Sequence, residues 1–260
     1  MSTFIHPTAI VSKEAKIGEN VEIGAFSIIE PDVEIGDGTK IRSSVIVANG
    51  ARIGKNCSIF SNAIIATEPQ DLKYDNERTY VYIGDNTTIR EFATINRATV
   101  ATGKTVIGNN CLVMTYAHIA HDCRIGDNVR LTNSVQIAGH VEIEENAIIG
   151  GMAAIHQFCK IGSFAMIGAT VKIVKDVLPY ALVGENPPKV DGINFIGLRR
   201  NNYSNEIIKE ISNFYDIIFK SGLNTSDGLN KYKQNYSSVI PEVNRCIEFI
   251  EKSERGIYRM

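Results

Sequence analysis

Tryptophan is absent from these 260 residues, and no stretch approaches the roughly 20 consecutive apolar residues that a membrane-crossing helix needs. Neither sign of charge dominates: 27 basic and 29 acidic side chains leave a net charge of −2, so there is no general field for nucleic acid or an anionic lipid surface. The first residues, Met1-Ser2-Thr3-Phe4-Ile5-His6-Pro7, lack a basic region followed by an apolar one, which argues against a signal peptide. Cysteine is sparse, odd in number at five, and never in a Cys-x-x-Cys pair. That excludes a disulfide framework and points to a reducing, cytoplasmic setting.

What the sequence has in abundance is a period of six. Ile, Val or Leu recurs at every sixth position from Ile5 to Ile65, from Ile83 to Ile95, and from Ile107 to Ile173. Glycine often follows the aliphatic residue, as at Gly18, Gly36, Gly126 and Gly150, and the fourth residue after it is small, as at Ser27, Thr39, Ala147 and Ala165. Six matches neither the 3.6 of a helix nor the 2 of a plain strand. It fits a parallel β-helix in which three hexads close one triangular coil of 18 residues, with the aliphatic side chain inward and the small one at the corner. The glycines are expected to supply turn backbone angles. Cys57, Cys111, Cys123 and Cys159 all fall in the small slot, which reads them as packing residues rather than nucleophiles or metal ligands.

Two breaks interrupt the rhythm, near 66–82 and near 97–106, and both are expected to leave the coil as external loops. The rhythm ends near Val177. Leu178-Pro179-Tyr180 and Glu185-Asn186-Pro187-Pro188 read as a linker. Beyond it, Ser204 is expected to cap a helix ending near Ser221 with Gly222 as its stop. A second helix is expected at about 226–235 and a third after Pro241, with Val243, Cys246, Ile247 and Ile250 on one face. The expected organisation is a β-helical domain over 1–185 and a C-terminal helical domain over 186–260.

Within the repeat, His118-Ile119-Ala120-His121-Asp122-Cys123 sets two imidazoles and a carboxylate together. Residues 18 apart are neighbours in stacked coils, so His121 faces Gly139 and then Gln157, and Asp122 faces His140. A carboxylate beside an imidazole fixes its tautomer and readies it to accept a proton. A glycine facing that imidazole leaves its N–H open for an oxyanion. No activated Ser or Cys accompanies them, so this is an acid–base constellation. The plainer alternative is that His6, His118, His140 and His156 simply hydrogen-bond the turns. A zinc site of the γ-class carbonic anhydrase kind is the competing reading. It needs three convergent ligands, whereas the coil neighbours of His118 and His121 are Gln136 and Gly139. A non-catalytic β-helical scaffold would need neither His121-Asp122 opposite Gly139 nor two polar loops.

Several segments together, in order along nearly the whole chain, resemble the acyl carrier protein (ACP)-dependent UDP-N-acetylglucosamine O-acyltransferases that open lipid A biosynthesis. They are Gln70-Asp71-Leu72-Lys73-Tyr74, the His118–Cys123 stretch, Ala138-Gly139-His140-Val141, Ile149-Gly150-Gly151-Met152, His156-Gln157-Phe158 and Gly197-Leu198-Arg199-Arg200. The resemblance implies a left-handed β-helix, a homotrimer with sites between subunits, and no cofactor or metal. It implies His121 as general base, Asp122 as its orienting partner and the Gly139 amide as oxyanion donor. It further implies Asp71, Lys73, His118, His140, His156 and Gln157 at the substrate, and Asn194 and Arg200 on the nucleotide side. Ala169, with Met166 beside it, matches the position that limits acyl length, and alanine there implies a shorter limit than glycine. Ile196 and Asn96 depart from the family, which carries an acidic residue and a histidine at those positions. Because ACP is acidic, Lys172, Lys175, Lys189, Arg199 and Arg200 are expected to be docking charges. A sister enzyme that acylates a sugar amine is the nearest relative reading, although it carries an extra N-terminal domain and here the repeat starts at Ile5. A 3-amino sugar in place of the 3-hydroxyl is left open by the residues alone.

Overall fold

The structure, a computed structural model, describes residues 2–236 and 239–260. Each sixth aliphatic residue lies in its own short strand, mostly two residues long, from Phe4–Ile5 through Ile10–Val11 and Lys16–Ile17 to Lys172–Ile173. Every third strand pairs in parallel, 18 residues on, as Phe4 with Glu22 and Ile119 with Ile137. Three sheets therefore run the length of a left-handed prism. The first face holds 11 strands, the second 9 and the third 8. The aliphatic column fills the prism, with Ile23, Ile59, Ile95, Ile119 and Ile155 at most 1% exposed. The small column closes it: Ser27, Thr39, Ala147 and Ala165 are wholly buried, and the four cysteines of that column are buried with them.

The glycines after the aliphatic residues have another purpose than the one expected. Their backbones are not left-handed. The positive φ angles fall three residues after the aliphatic one, on Asn20, Asn56, Asn110, Asp122 and His140 among others. Glycine is required because successive coils touch there. A Cβ on Gly36 would stand 2.7 Å from Gly54 C, and one on Gly150 would stand 2.6 Å from Ala169 N.

The two insertions are 68–79, between strands Ile64–Thr67 and Tyr80–Ile83, and 97–103, between Thr94–Asn96 and Lys104–Ile107. Across them the pairing interval widens, as Ile59 with Ile89 and Ile83 with Ile107, and the faces stay in register. Both leave from the same edge of the prism, where the second face turns into the third.

The segment read as a linker is instead structural. Leu178 and Tyr180 are buried at the end of the prism. Strand Ala181–Gly184 continues the first face in parallel with Met166–Ile167, and Lys189–Ile193 folds back on it antiparallel, so the Pro187-Pro188 pair sits in a hairpin turn. Proline suits that turn because it needs no ladder donor. Helix α1 (Phe195–Arg200) follows, then α2 (Asn205–Lys220), capped by Ser204 as expected, α3 (Thr225–Asn235) and α4 (Pro241–Glu251). Apolar faces of α2 and α4, including Ile211, Phe214 and Val243, join one core with the prism's end. The Tyr215 hydroxyl donates to the Pro179 carbonyl at 2.5 Å. Among the described residues no helix is long and apolar enough to cross a membrane.

Candidate active site

The edge between the second and third faces collects most of the chemistry. Going coil by coil it carries the 68–79 loop with Asp71 and Lys73, the 97–103 loop, the turn 120–123 with His121 and Asp122, the turn 138–141 with Gly139 and His140, and the turn 156–159 with Gln157. Parallel register alone places them in this column.

His121 Nδ1 donates to Asp122 Oδ2 at 2.7 Å, which leaves Nε2 as the basic nitrogen. Asp122 adopts φ +61°, turning its side chain back along the edge, where it is fully buried. Its carboxylate is held from the second loop. Thr99 donates its N–H at 3.1 Å and its hydroxyl at 2.8 Å, and Thr102 donates its N–H at 3.2 Å and its hydroxyl as well. Burial pushes this carboxyl up, but the bonds from Thr102, His121 and Thr99 outweigh burial and hold it below the usual carboxylate range. Thr99 and Thr102 escaped the reading of the sequence. They lie inside a break in the repeat, where the 18-residue rule assigns no neighbour, and two threonines three apart in a polar loop were the only available signal.

Over the next coil, the His121 ring lies against Gly139. A Cβ there would come within 2.6 Å of Cε1 and 2.8 Å of Nε2. The Gly139 N–H finds no acceptor among the described residues. His140 meets the His121 ring edge-on at 5.2 Å, stacks on Phe158 at 4.5 Å, and has its Nε2 3.8 Å from Asp122 Oδ2. His118, on the second face, shares a hydrogen bond with Thr94 Oγ1 at 2.8 Å; burial, and after it the nearby His121, lowers its pKa.

Polar atoms of His121, Asp122 and His140 converge within 4.8 Å. Their donor set is that of a hydrogen-bonded relay, since both Asp122 oxygens are already committed to Thr99, Thr102 and His121. Cys123 adds no ligand. Burial raises its thiol to about 12, and its Sγ donates to the Ala138 carbonyl at 3.1 Å. Cys111 and Cys159 are likewise raised to about 11 by burial.

The remaining candidates sit elsewhere in the chain. Asp71 Oδ1 accepts from the Lys73 N–H at 2.9 Å at the loop tip, with Leu72 wholly exposed between them. His156 Nδ1 lies 3.2 Å from the Gln157 carbonyl and 3.4 Å from the Arg255 guanidinium. Asn194 caps α1: its Oδ1 accepts from Gly197 N at 3.0 Å and its Nδ2 donates to the Phe164 carbonyl at 2.9 Å. That carbonyl places Asn194 at the edge between the third and first faces, and Arg200 lies in the last turn of the helix it caps. Met166 lies on the first face, and Ala169 lies on the edge between the first and second faces. One chain therefore brings together His121, Asp122, Gly139 and His140 but spreads the other candidates over all three edges.

An expected result follows for acid stability. Asp122 has a depressed carboxyl, so its contribution is present above the ordinary carboxylate pKa and is lost as pH falls through the lower folded value. Asp122→Asn should cost about 1–3 kcal/mol at neutral pH by stranding buried partners. In denaturant titrations the gap to wild type should close only below the usual carboxylate range. A gap independent of pH would contradict the assignment.

Comparison with known proteins places these features. The family model described as "Udp N-acetylglucosamine O-acyltransferase; Domain 2" matches residues 176–258, and a bacterial transferase hexapeptide model matches 14–49 and 104–139. An acyl-ACP–UDP-N-acetylglucosamine O-acyltransferase from a Sulfurihydrogenibium species is 52% identical over 97% of this chain and 93% of its own. One from Trichlorobacter lovleyi is 50% identical over 98% and 99%. The solved UDP-N-acetylglucosamine acyltransferase of Bacteroides fragilis superposes with a TM-score of 0.95 at 46% identity, covering 98% of this chain and 100% of its own. That of Francisella novicida gives 0.95 at 37%, covering 99% and 94%.

Proposed function

The chain belongs to the acyl-ACP–UDP-N-acetylglucosamine O-acyltransferase family, and from that premise we propose that it moves a 3-hydroxyacyl chain from ACP to the sugar 3-hydroxyl by general-base catalysis at His121. The reaction opens lipid A biosynthesis. The observation that carries the mechanism is the His121 ring, tied to Asp122 at 2.7 Å and lying over a glycine whose N–H has no acceptor among the described residues.

In this reading His121 Nε2 takes the proton of the 3-hydroxyl as that oxygen attacks the thioester carbonyl carbon. Negative charge gathers on the carbonyl oxygen, where the Gly139 N–H receives it. The carbon–sulfur bond then breaks, and the imidazolium returns its proton to the departing ACP thiolate. Asp122 holds the tautomer and stabilises the transient cation. The thioester is already activated, so neither cofactor nor metal takes part. The oxygen acceptor is preferred over the 3-amino one because the named relatives are O-acyltransferases.

The homotrimer is part of the proposal. Asp71, Lys73, His118, His140, His156 and Gln157 contact substrate, and Asn194 and Arg200 serve the nucleotide side. Met166 and Ala169 bound the acyl chain. These groups occupy different edges of one prism, and a neighbouring copy set against the base edge would complete the site. An apolar strip on the first–second edge supports such packing. Phe92 and Tyr116 stack at 5.0 Å there while 45% and 57% exposed, with Met152 63% exposed beyond them. ACP docks on basic residues. Lys172, Lys175, Arg199 and Arg200 form no ion pair among the described residues, whereas Lys189 pairs with Glu185 at 2.9 Å. We divide the chain into an acyltransferase coil over 1–185 and a C-terminal unit over 186–260, the latter starting with strand Lys189–Ile193, which pairs back onto the coil's first face before the helices begin. Free, buried cysteines fit a reducing compartment, and we place the reaction in the cytoplasm.

Transfer from a series of 3-hydroxyacyl-ACPs to UDP-N-acetylglucosamine tests the reading. Turnover should fall beyond an intermediate length, and Ala169→Gly should extend that limit by making room. Equal turnover of all lengths refutes the ruler, and no transfer at any length refutes the reaction.

A further inference from the structure

Arg97 is the first residue of the second loop, yet it is spent on the first. Its side chain is only 14% exposed. Nε and Nη2 both donate to the Tyr74 hydroxyl, at 3.1 and 2.8 Å, and Nη1 donates to the Ala66 carbonyl at 3.0 Å. Its own N–H reaches the Thr67 carbonyl at 2.9 Å. Tyr74 passes the grip on by donating to the Glu77 carbonyl at 3.1 Å. Beside it, Asn96 Nδ2 donates to Thr67 Oγ1 at 3.1 Å and to the Glu68 carbonyl at 2.8 Å, and Thr79 Oγ1 donates to the Ala98 carbonyl. Asp71 and Lys73 ride on the loop so held. Two and five residues beyond Arg97, Thr99 and Thr102 hold Asp122.

We propose that Arg97 is a positioning residue that locks the 68–79 loop to the 97–103 loop, so that the groups at the substrate end of the site and the clamp on the base's carboxylate hold one register. The inference rests on the proposed function only for what the two ends do; the lock itself is geometric. A guanidinium suits the role because its fixed fork reaches the Tyr74 oxygen twice and a carbonyl besides, which a lysine ammonium cannot reproduce. A shift of about 1 Å at one end is enough to cost roughly 10²-fold when reacting groups must align.

The test compares Arg97→Ala, Arg97→Lys, Tyr74→Phe and the double variant Arg97→Ala/Tyr74→Phe in the transfer assay, together with amide hydrogen exchange. Arg97→Ala should raise KM for UDP-N-acetylglucosamine about tenfold or more, and Arg97→Lys should recover only part of that. Tyr74→Phe should weaken the enzyme in the same direction, and the double variant should be no worse than Arg97→Ala, because both remove one connection. Exchange should quicken in 68–79 and 97–103 together. Additive losses, a KM within twofold of wild type, or faster exchange in one loop alone would overturn the proposal. If Arg97→Ala fails to fold, Tyr74→Phe carries the same comparison of both loops. A wild-type protein that transfers nothing sinks the functional reading, while the exchange data still decide whether the loops are locked.

Discussion

Replacing His121 with alanine should lower kcat by about 10²–10⁴-fold, the range for a lost general base, with KM for UDP-N-acetylglucosamine changing far less. Nδ1 is occupied by Asp122, which is itself held by donors from Thr99 and Thr102. Nε2 is the free nitrogen, and it lies over Gly139. Among the described residues no other imidazole near this edge is as well placed. His140 reaches Asp122 only at 3.8 Å and is stacked on Phe158, and His118 is engaged with Thr94. Single-turnover transfer with saturating acyl-ACP isolates the chemical step. A variant within tenfold of wild type would move the base elsewhere, with His140 the next residue to replace.

The prism was legible because one local rule generates it. Each aliphatic residue meets its counterpart 18 residues on, so the register that fills the core also aligns His121 with Gly139 and Asp122 with His140. The rule fails where chain is inserted. Thr99, Thr102, Arg97 and Tyr74 act through contacts that no spacing anticipates, since a loop outside the coil has no fixed partner. The tail was legible where helices announce themselves: Ser204 caps α2, and Pro241 opens α4. It was not legible at the hairpin of Ala181–Gly184 and Lys189–Ile193, whose pairing depends on the exposed edge of the last coil rather than on its own proline-rich turn. The glycines after each aliphatic residue taught a similar lesson. Their positions were plain, but the demand for them comes from the backbone of the neighbouring coil. Asn194 presents a comparable case, since α1 uses its side chain as a cap, a role invisible until the short helix is seen.

Gly139→Ala should be nearly as damaging as loss of the imidazole, a fall in kcat of about 10²-fold, although the new methyl removes no hydrogen-bonding group. Gly139 does not occupy the left-handed region, so alanine is compatible with the backbone and the N–H stays where it is. The cost comes from the methyl, 2.6 Å from Cε1 and 2.8 Å from Nε2 of His121, where no real Cβ contact is tolerated. The ring must swing away, and it cannot do so while keeping its 2.7 Å bond to Asp122. A displacement of about 1 Å is sufficient for a loss of that size. The double variant His121→Ala/Gly139→Ala separates this cause from damage to the oxyanion donor. With the imidazole gone the methyl has room, so Gly139→Ala should add little to His121→Ala, a strongly non-additive pair. If it instead costs a further 10²-fold on that background, the size expected for a lost oxyanion donor, the methyl is harming the N–H or its approach to substrate, and the glycine is there for the oxyanion rather than for the base.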